Sequence, residues 1–360
     1  MSSASRFPRP LRVAVAGLGF GYAVHLPGWL GQTGVEVVGI AARRRDKAAE
    51  LARRHGIAIA TDDIAELLSL QPDIVSIALP PEVTATAARS ALEQGAAILS
   101  EKPIAATFGD AAALAALSAR RVTGVNFSFS ELDTFQTLRR HLASNELGAP
   151  VRAELTWRTE SYAHKHCIWG WKTDRRRFGG VITSFASHVV HLVEWLLGPV
   201  GTVEASLDDR RTRAFSPPGA SPAWDQAEIL LHHRNNTIVR AVLDNAAPGE
   251  NVHEWNILCA AGSYRLVKQG PGIMTGFALY RVGSDGSPEI LARDQHQDSA
   301  GGRVLPFQRL LDRFVAAVRS GDPCEPGFAL GCRAQYLMDR IEASASASAA
   351  VPCDDLVLSA

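Results

Sequence analysis

The stretch LRVAVAGLGFG, residues 11–21, decides the fold. Leu11 to Ala16 form a short apolar run bounded by a turn signal, which reads as a buried strand. Gly17-Leu18-Gly19-Phe20-Gly21 follows directly, and Tyr22-Ala23-Val24-His25 opens a helical pattern. Glycines between a first strand and a helix allow a tight turn and let backbone N–H groups approach a pyrophosphate. In the GxGxxG pattern the third glycine would stand at position 22, which is Tyr; Gly21 comes one residue early. A purely structural turn is the competing reading, and the strand–turn–helix setting favours nucleotide binding.

Working outward, VEVVGIAA (35–42), DIVSIAL (73–79) and AAILS (96–100) read as further strands. Between them RRDKAAELARRHG, TDDIAELLSL and EVTATAARSALEQG carry apolar residues at helical spacing. Strand and helix in alternation predict an α/β fold with a doubly wound parallel sheet. After about residue 125 the pattern changes. A helical segment (131–147) leads to VRAELTWRT, a second helix, and the β runs AEILLHH, TIVRAVLDN, WNILCAA and SYRLVKQ. These predict an α+β domain with a largely antiparallel open sheet, so the expected division is 1–125 for a dinucleotide-binding Rossmann domain and 126–360 for a substrate-binding domain. AFSPPGASPAW (214–224) and HQDSAGGR (296–303) read as loops, and the tail EASASASAAV is mildly low in complexity.

In 360 residues, 37 Lys plus Arg balance 37 Asp plus Glu, so no global field draws the protein to nucleic acid or to a membrane. A small-molecule partner is expected. The N-terminus lacks an apolar targeting core and no later run suggests a membrane span, which predicts a cytoplasmic protein. The cysteines at 167, 259, 324, 332 and 353 are scattered without CxxC spacing, so they indicate neither a disulfide framework nor a zinc cluster.

The second strand bears on the cofactor. An NAD site usually ends this strand on Asp or Glu; here Ala41-Ala42 is followed by Arg43-Arg44-Arg45. Guanidinium groups pair well with a 2′-phosphate, so NADP is favoured with NAD possible, although Asp46 keeps a solvated basic helix start in play. Gly17, Gly19, Phe20, Gly21, Ala42, Arg43 and Arg44, with Leu79 and Pro80 after the DIVSIAL strand, are the expected cofactor contacts. LSEKPIAA (99–106) places Glu101 and Lys102 at the carboxyl end of a strand, where ligands of open α/β sheets bind. A lysine there can hydrogen-bond a substrate oxygen and stabilise developing negative charge; an exposed loop lysine is the alternative.

SFASHVVHLVEW (184–195) puts two histidines and a glutamate on one helix. At about 100° per residue Ser184, His188, His191 and Trp195 share an edge beside the apolar face of Phe185, Val189, Leu192 and Leu196. His188 and His191 could share a metal, but Glu194 falls about 120° from His188, and no metal site is expected. The preceding stretch SYAHKHCIWGWKTDRR (161–176) is rich in aromatic and cationic residues, suited to a sugar face and an anion or to a solvated loop anchored by tryptophans.

GLGFGYAVH, DIVSIALPPEVTATAARSALEQGAAILSEKPIA, GVNFSF and WKTDRRRFGGVITSFASHVVHLVEWLLG resemble, in order and spacing, the glucose-fructose oxidoreductase / inositol dehydrogenase / MocA-like (Gfo/Idh/MocA) family across nearly the whole chain. HLPGW looks like a branch associated with bacterial polysaccharide or nucleotide-sugar metabolism. The resemblance implies hydride transfer between a nicotinamide and a sugar-like carbinol or ketone, and oligomers built through the C-terminal sheet, which adds oligomerisation to the expected role of 126–360. It also implies Lys102 as the substrate-binding, proton-handling lysine and Glu101 as its neighbour at the nicotinamide ribose. The chain departs from the family pattern at Ser184, where an Asp commonly orients the histidine, at His191, often Asp, and at Ser128, commonly Arg.

A carboxylate one turn before His188 would fix its tautomer, whereas Ser184 can only hydrogen-bond. His188 is then a weaker base that could still donate a proton, so ketone reduction is expected over oxidation of an unactivated alcohol. The expected substrate contacts are Lys102, Asn126, Tyr162, Trp171, Ser184, His188 and His191, with Lys102 and His188 catalytic. Two rival expectations are a dinucleotide-binding sensor or partner subunit without turnover, and nicotinamide-assisted glycoside cleavage with no net redox change.

Overall fold

The computed structural model describes residues 9–296, 298 and 300–356. The chain begins with β1 (Leu11–Ala16), a π turn (Gly21–His25) continuing into α1 (Leu26–Leu30), β2 (Val35–Ala41), α2 (Arg45–His55), β3 (Ile59–Thr61), α3 (Ile64–Ser69) and β4 (Ile74–Ile77). It goes on with α4 (Pro81–Glu93), β5 (Ala97–Ser100), α5 (Phe108–Leu117) and β6 (Thr123–Val125). The six strands form one parallel sheet in the order β3-β2-β1-β4-β5-β6, as expected for a doubly wound fold. β4 and β5 are buried along their whole length because helices cover both faces. Helix starts are set by local chemistry: the Asp63 carboxylate accepts from Ala65 N–H before α3, and Thr107 Oγ from Asp110 N–H before α5.

The second run comprises α6 (Asp133–Ser144), β7 (Pro150–Glu160), α7 (Tyr162–Lys165), a π turn (Ile182–Ala186) running into α8 (Ser187–Leu197), β8 (Val200–Asp208), α9 (Arg210–Arg213) and β9 (Gln226–His233). β10 (Ile238–Asp244), β11 (Ala246–Cys259), β12 (Gly262–Lys268), β13 (Phe277–Val282) and β14 (Pro288–Arg293) follow. With β15 (Val351–Pro352) they make a nine-stranded sheet, β14-β13-β12-β11-β7-β10-β9-β8-β15. It is antiparallel except where β7 runs parallel to β10. Burial alternates along β9 and the end of β11, so one face is packed and the other open.

The linear division at residue 125 needs correction. Asp298–Cys332, which holds α10 (Val304–Ser320), belongs with residues 9–128, while 129–296 and Arg333–Leu356 form the second unit. Phe307, Leu311 and Phe314 of α10 enter the same core as Leu11, Val13, Val15 and Trp29. In the tail, α11 (Phe328–Ala347) runs through most of the Ala/Ser-rich segment, for which composition alone suggests no element. The reading of HQDSAGGR holds no helix or strand at its described residues; Gln297 and Ser299 lie outside them. Among the described residues Arg175–Leu197 is long and apolar enough by length and composition to cross a membrane, but most of it is buried within the protein, as in a core helix.

Candidate active site

Gly17 ends β1 at φ +104°, a conformation that favours glycine, and a Cβ there would lie 2.2 Å from the carbonyl oxygen of Ala78. A Cβ on Gly19 would meet nothing within 4 Å. One glycine closes the turn onto β4; the other leaves bare backbone beside open space. Gly21, early for the formula, begins the π turn, which absorbs an irregular residue at the start of the helix. These features fit a dinucleotide pyrophosphate. Leu79 and Pro80 follow β4, and their carbonyls accept from Thr84 Oγ, which anchors the start of α4.

At the end of β2, Ala42 is half-buried and Arg43 and Arg44 are exposed. Arg44 Nη2 donates to Asp46 Oδ2 at 2.9 Å; this hydrogen bond raises the Arg44 pKa and lowers that of Asp46. With both side chains more than half exposed, the pair is a weak tether.

At the end of β5, Glu101 N–H donates to Ile77 C=O and the chain turns through a cis Lys102–Pro103 bond, leaving Lys102 half-buried. The Glu101 carboxylate is held from two sides: Oε1 lies 2.9 Å from His25 Nε2 and accepts from Asn126 Nδ2 at 2.6 Å. His25 is fully buried, stacked on Phe307 and edge-on to Phe20. Its Nδ1 lies 2.8 Å from Ser76 Oγ, which also accepts from the Trp29 indole N–H. Ser128 Oγ donates to Asn126 Oδ1. Asn126, expected at the substrate, thus holds Glu101. Sequence reasoning missed Ser76, Trp29 and the place of His25. It also missed Arg303, whose guanidinium stands 5.7 Å from the Phe20 ring centroid; burial lowers its pKa while Asp298 and Glu101 pull upward.

In the second unit, the π turn at 182–186 breaks the regular spacing between Ser184 and His188, so the shared edge inferred from 100° steps begins only at Ser187. Ser184 Oγ donates to Gly180 C=O at 2.7 Å and accepts from Asn245 Nδ2 at 3.3 Å. His188 is buried, edge-on to Phe129 at 5.0 Å and tilted to Trp157 at 6.1 Å; Phe185 stacks on the same Trp157 at 4.0 Å. His191 is buried with Arg139 of α6 as its charged neighbour, and burial, then Arg139, pushes its pKa down to about 3. Glu194 accepts from Val200 N–H and from the Arg333 guanidinium.

The aromatic stretch before that helix is pinned down. A Cβ on Gly179 would come 2.2 Å from the carbonyl oxygen of Trp171, so the loop lies directly on the glycine pair. His164 bridges Ser161 and Thr212 through its two ring nitrogens. Tyr162 is 72% exposed and lies against His166, and the Lys172 ammonium stands 5.7 Å from the Trp171 ring centroid.

Residues 11–127 match the family described as "Oxidoreductase family, NAD-binding Rossmann fold", and residues 135–265 match the "GFO/IDH/MocA C-terminal domain". The chain belongs to the Gfo/Idh/MocA oxidoreductase family. As a member of it, the protein is an NAD(P)-dependent oxidoreductase acting on CH–OH and C=O groups. An uncharacterized oxidoreductase of Synechocystis sp. is 27% identical over 349 residues, covering 91% of this chain and 92% of that one. The D-glucoside 3-dehydrogenase of Escherichia coli is 29% identical over 52% of this chain and 54% of its own length. The levoglucosan dehydrogenase of Pseudarthrobacter phenanthrenivorans is 28% identical over 47% and 44%, so these two matches span about half of each relative. Among solved structures, an oxidoreductase domain protein from Kribbella flavida superposes with TM-score 0.83 at 19% identity, over 96% of this chain and all of that one. An apo levoglucosan dehydrogenase gives TM-score 0.82 at 19% identity over 97% of this chain and 100% of that one. At such identity these structures speak for the fold alone.

Proposed function

We propose that the protein reduces the ketone of a sugar or nucleotide-sugar-like molecule with NADPH, NADH being the weaker donor. The observation that carries this reading is the anchored Glu101 carboxylate, with Lys102 next to it, at the carboxyl end of β5, in the same unit as the Gly17-Leu18-Gly19 turn. Relatives named for glucosides, levoglucosan and 1,5-anhydro-D-fructose support a sugar substrate. Arg43 and Arg44, without a carboxylate at the end of β2, support NADP.

Gly17, Gly19, Phe20 and Gly21 would hold the pyrophosphate, Arg43 and Arg44 the 2′-phosphate, and Glu101 a ribose hydroxyl. Bound nicotinamide supplies the hydride. Lys102 would donate a hydrogen bond to the substrate oxygen and stabilise negative charge as it develops there. His188 is the proposed proton donor, and Ser184, which gives its own proton to Gly180 C=O, leaves it without the family's usual carboxylate at that position. The deciding experiment titrates NADPH and NADH into the purified protein and then screens keto-sugars and nucleotide-keto-sugars for cofactor oxidation. Selective NADH binding would overturn the cofactor assignment. Retention of single-turnover hydride transfer by His188→Ala would remove His188 from the chemistry.

Ser184 also favours a rival reading, a member that binds dinucleotide without turnover; tight NADPH binding with no oxidation by any carbonyl sugar would select it. Product formed without net cofactor oxidation would instead select glycoside cleavage. The open face of the nine-stranded sheet, where Val151 and Leu258 are each at least half exposed, is the proposed surface for homo-oligomers, tested by light scattering of the Leu258→Lys variant.

A further inference from the structure

The polar groups behind Glu101 form a chain with one permitted direction. Trp29 Nε1 is a donor only, so Ser76 Oγ accepts from it at 2.8 Å. Ser76 is fully buried and has a single proton to place; His25 Nδ1, 2.8 Å away, is the acceptor that the described residues offer it. Nδ1 is thereby an acceptor, and the imidazole carries its proton on Nε2, pointed at Glu101 Oε1 2.9 Å away. On the other side Asn126 receives Ser128 Oγ–H at Oδ1, which orients the amide so that Nδ2–H faces the same Oε1. Both donors fall on one carboxylate oxygen, leaving Oε2 for a donor from a bound molecule.

We propose that the buried chain Trp29–Ser76–His25 is an orienting device for the cofactor carboxylate, with His25 a positioning residue that fixes the rotamer of Glu101 so that Oε2 faces a hydroxyl of the bound dinucleotide. His25 is well suited to this. It belongs to the π turn that opens from the glycine loop, and Phe307 and Phe20 fix its ring plane and edge. One side chain thus ties the phosphate-binding turn to the carboxylate beside Lys102. Ser76 lies on β4, is fully buried, and acts on Glu101 through the His25 tautomer it selects. The proposal rests on the reading that Glu101 contacts the dinucleotide.

The test measures NADPH and NADH dissociation constants by fluorescence titration, per folded molecule, for Glu101→Gln, Ser76→Ala, His25→Met and His25→Gln, together with KM for the sugar. Glu101→Gln tests the underlying reading and is expected to weaken dinucleotide binding about tenfold, the scale of a hydrogen bond to a charged group. His25→Met is expected to do the same with the sugar KM unchanged. Ser76→Ala should weaken binding severalfold, and His25→Gln, which restores an acceptor toward Ser76 and a donor toward Glu101, should stay within about twofold of wild type. A purely structural role would lower the folded fraction and leave dissociation constants per folded molecule unmoved. If Glu101→Gln weakens binding while His25→Met and Ser76→Ala bind like wild type, the orienting device is overturned and the reading of Glu101 survives. Should Glu101→Gln itself bind like wild type, both fall. If His25→Met fails to fold, Ser76→Ala alone decides.

Discussion

The carbonyl oxygen of Ala78 occupies the space that a side chain on Gly17 would need, 2.2 Å from an ideal Cβ, whereas Gly19, two residues on, faces open space. The two glycines of one motif therefore answer different demands. Gly17→Ala is expected to destabilise the apoprotein by about 1–3 kcal/mol, because the backbone is held at φ +104° against β4. Gly19→Ala should leave the apo melting temperature unchanged and weaken dinucleotide binding on the order of tenfold, one displaced hydrogen bond to a charged group. Calorimetry of both apo variants followed by NADPH titration separates the cases; equal losses of stability would refute the distinction.

Arg44 is paired with Asp46, and both side chains are exposed. Recruiting the guanidinium to a 2′-phosphate exchanges one exposed ion pair for a charge-assisted contact with a dianion, a favourable trade. Arg44→Ala is expected to weaken NADPH binding about tenfold and NADH binding less than twofold. An equal effect on the two cofactors would mean that Arg44 is a solvated helix-start residue.

Lys102→Met removes the ammonium and keeps a similar aliphatic length. If Lys102 stabilises charge on the substrate oxygen, single-turnover hydride transfer at saturating cofactor should slow by about 10²- to 10³-fold, the range seen when one such donor is lost. A loss below tenfold would reduce Lys102 to a binding residue.

How far the sequence exposes this site depends on how local each signal is. β1 and the glycine turn are legible because a strand buried on both faces becomes a continuous apolar run and the turn chemistry follows at once. β14 escaped notice since its Pro288–Arg293 segment has no buried residue and so no alternation. α11 was hidden for the opposite reason: in EASASASA the small residues blur helical periodicity, although alanine itself favours helix. The His25–Glu101 contact joins positions 76 residues apart, and His25–Ser76 spans 51, so no local pattern could pair them. A histidine in an otherwise apolar helix start was the one available hint. The return of Asp298–Cys332 to the first unit is likewise invisible in its amphipathic pattern, which specifies a buried face without naming the core that buries it.

His253 carries the last prediction. It is fully buried, stacked on Trp157 at 4.3 Å, and its Nε2 accepts from the Trp255 indole N–H at 3.1 Å, so the neutral ring keeps its proton on Nδ1. Burial, reinforced by Lys268, pushes its pKa down to about 3, as burial does for His191. Both histidines ionise near 6.5 when the chain unfolds, so the unfolded state binds more protons across that interval. Their contribution to stability is complete above pH 6.5 and is lost as pH falls toward 3. Each costs up to about 1.4 kcal/mol per pH unit in that window. His253→Gln keeps an acceptor for Trp255 and removes one titration. Urea unfolding at stepped pH should find the variant less stable than wild type at pH 8, through lost ring stacking, yet with a stability slope between pH 6 and 4 shallower by about 1.4 kcal/mol per unit. Parallel slopes for the two proteins would show that His253 is not a neutral core residue.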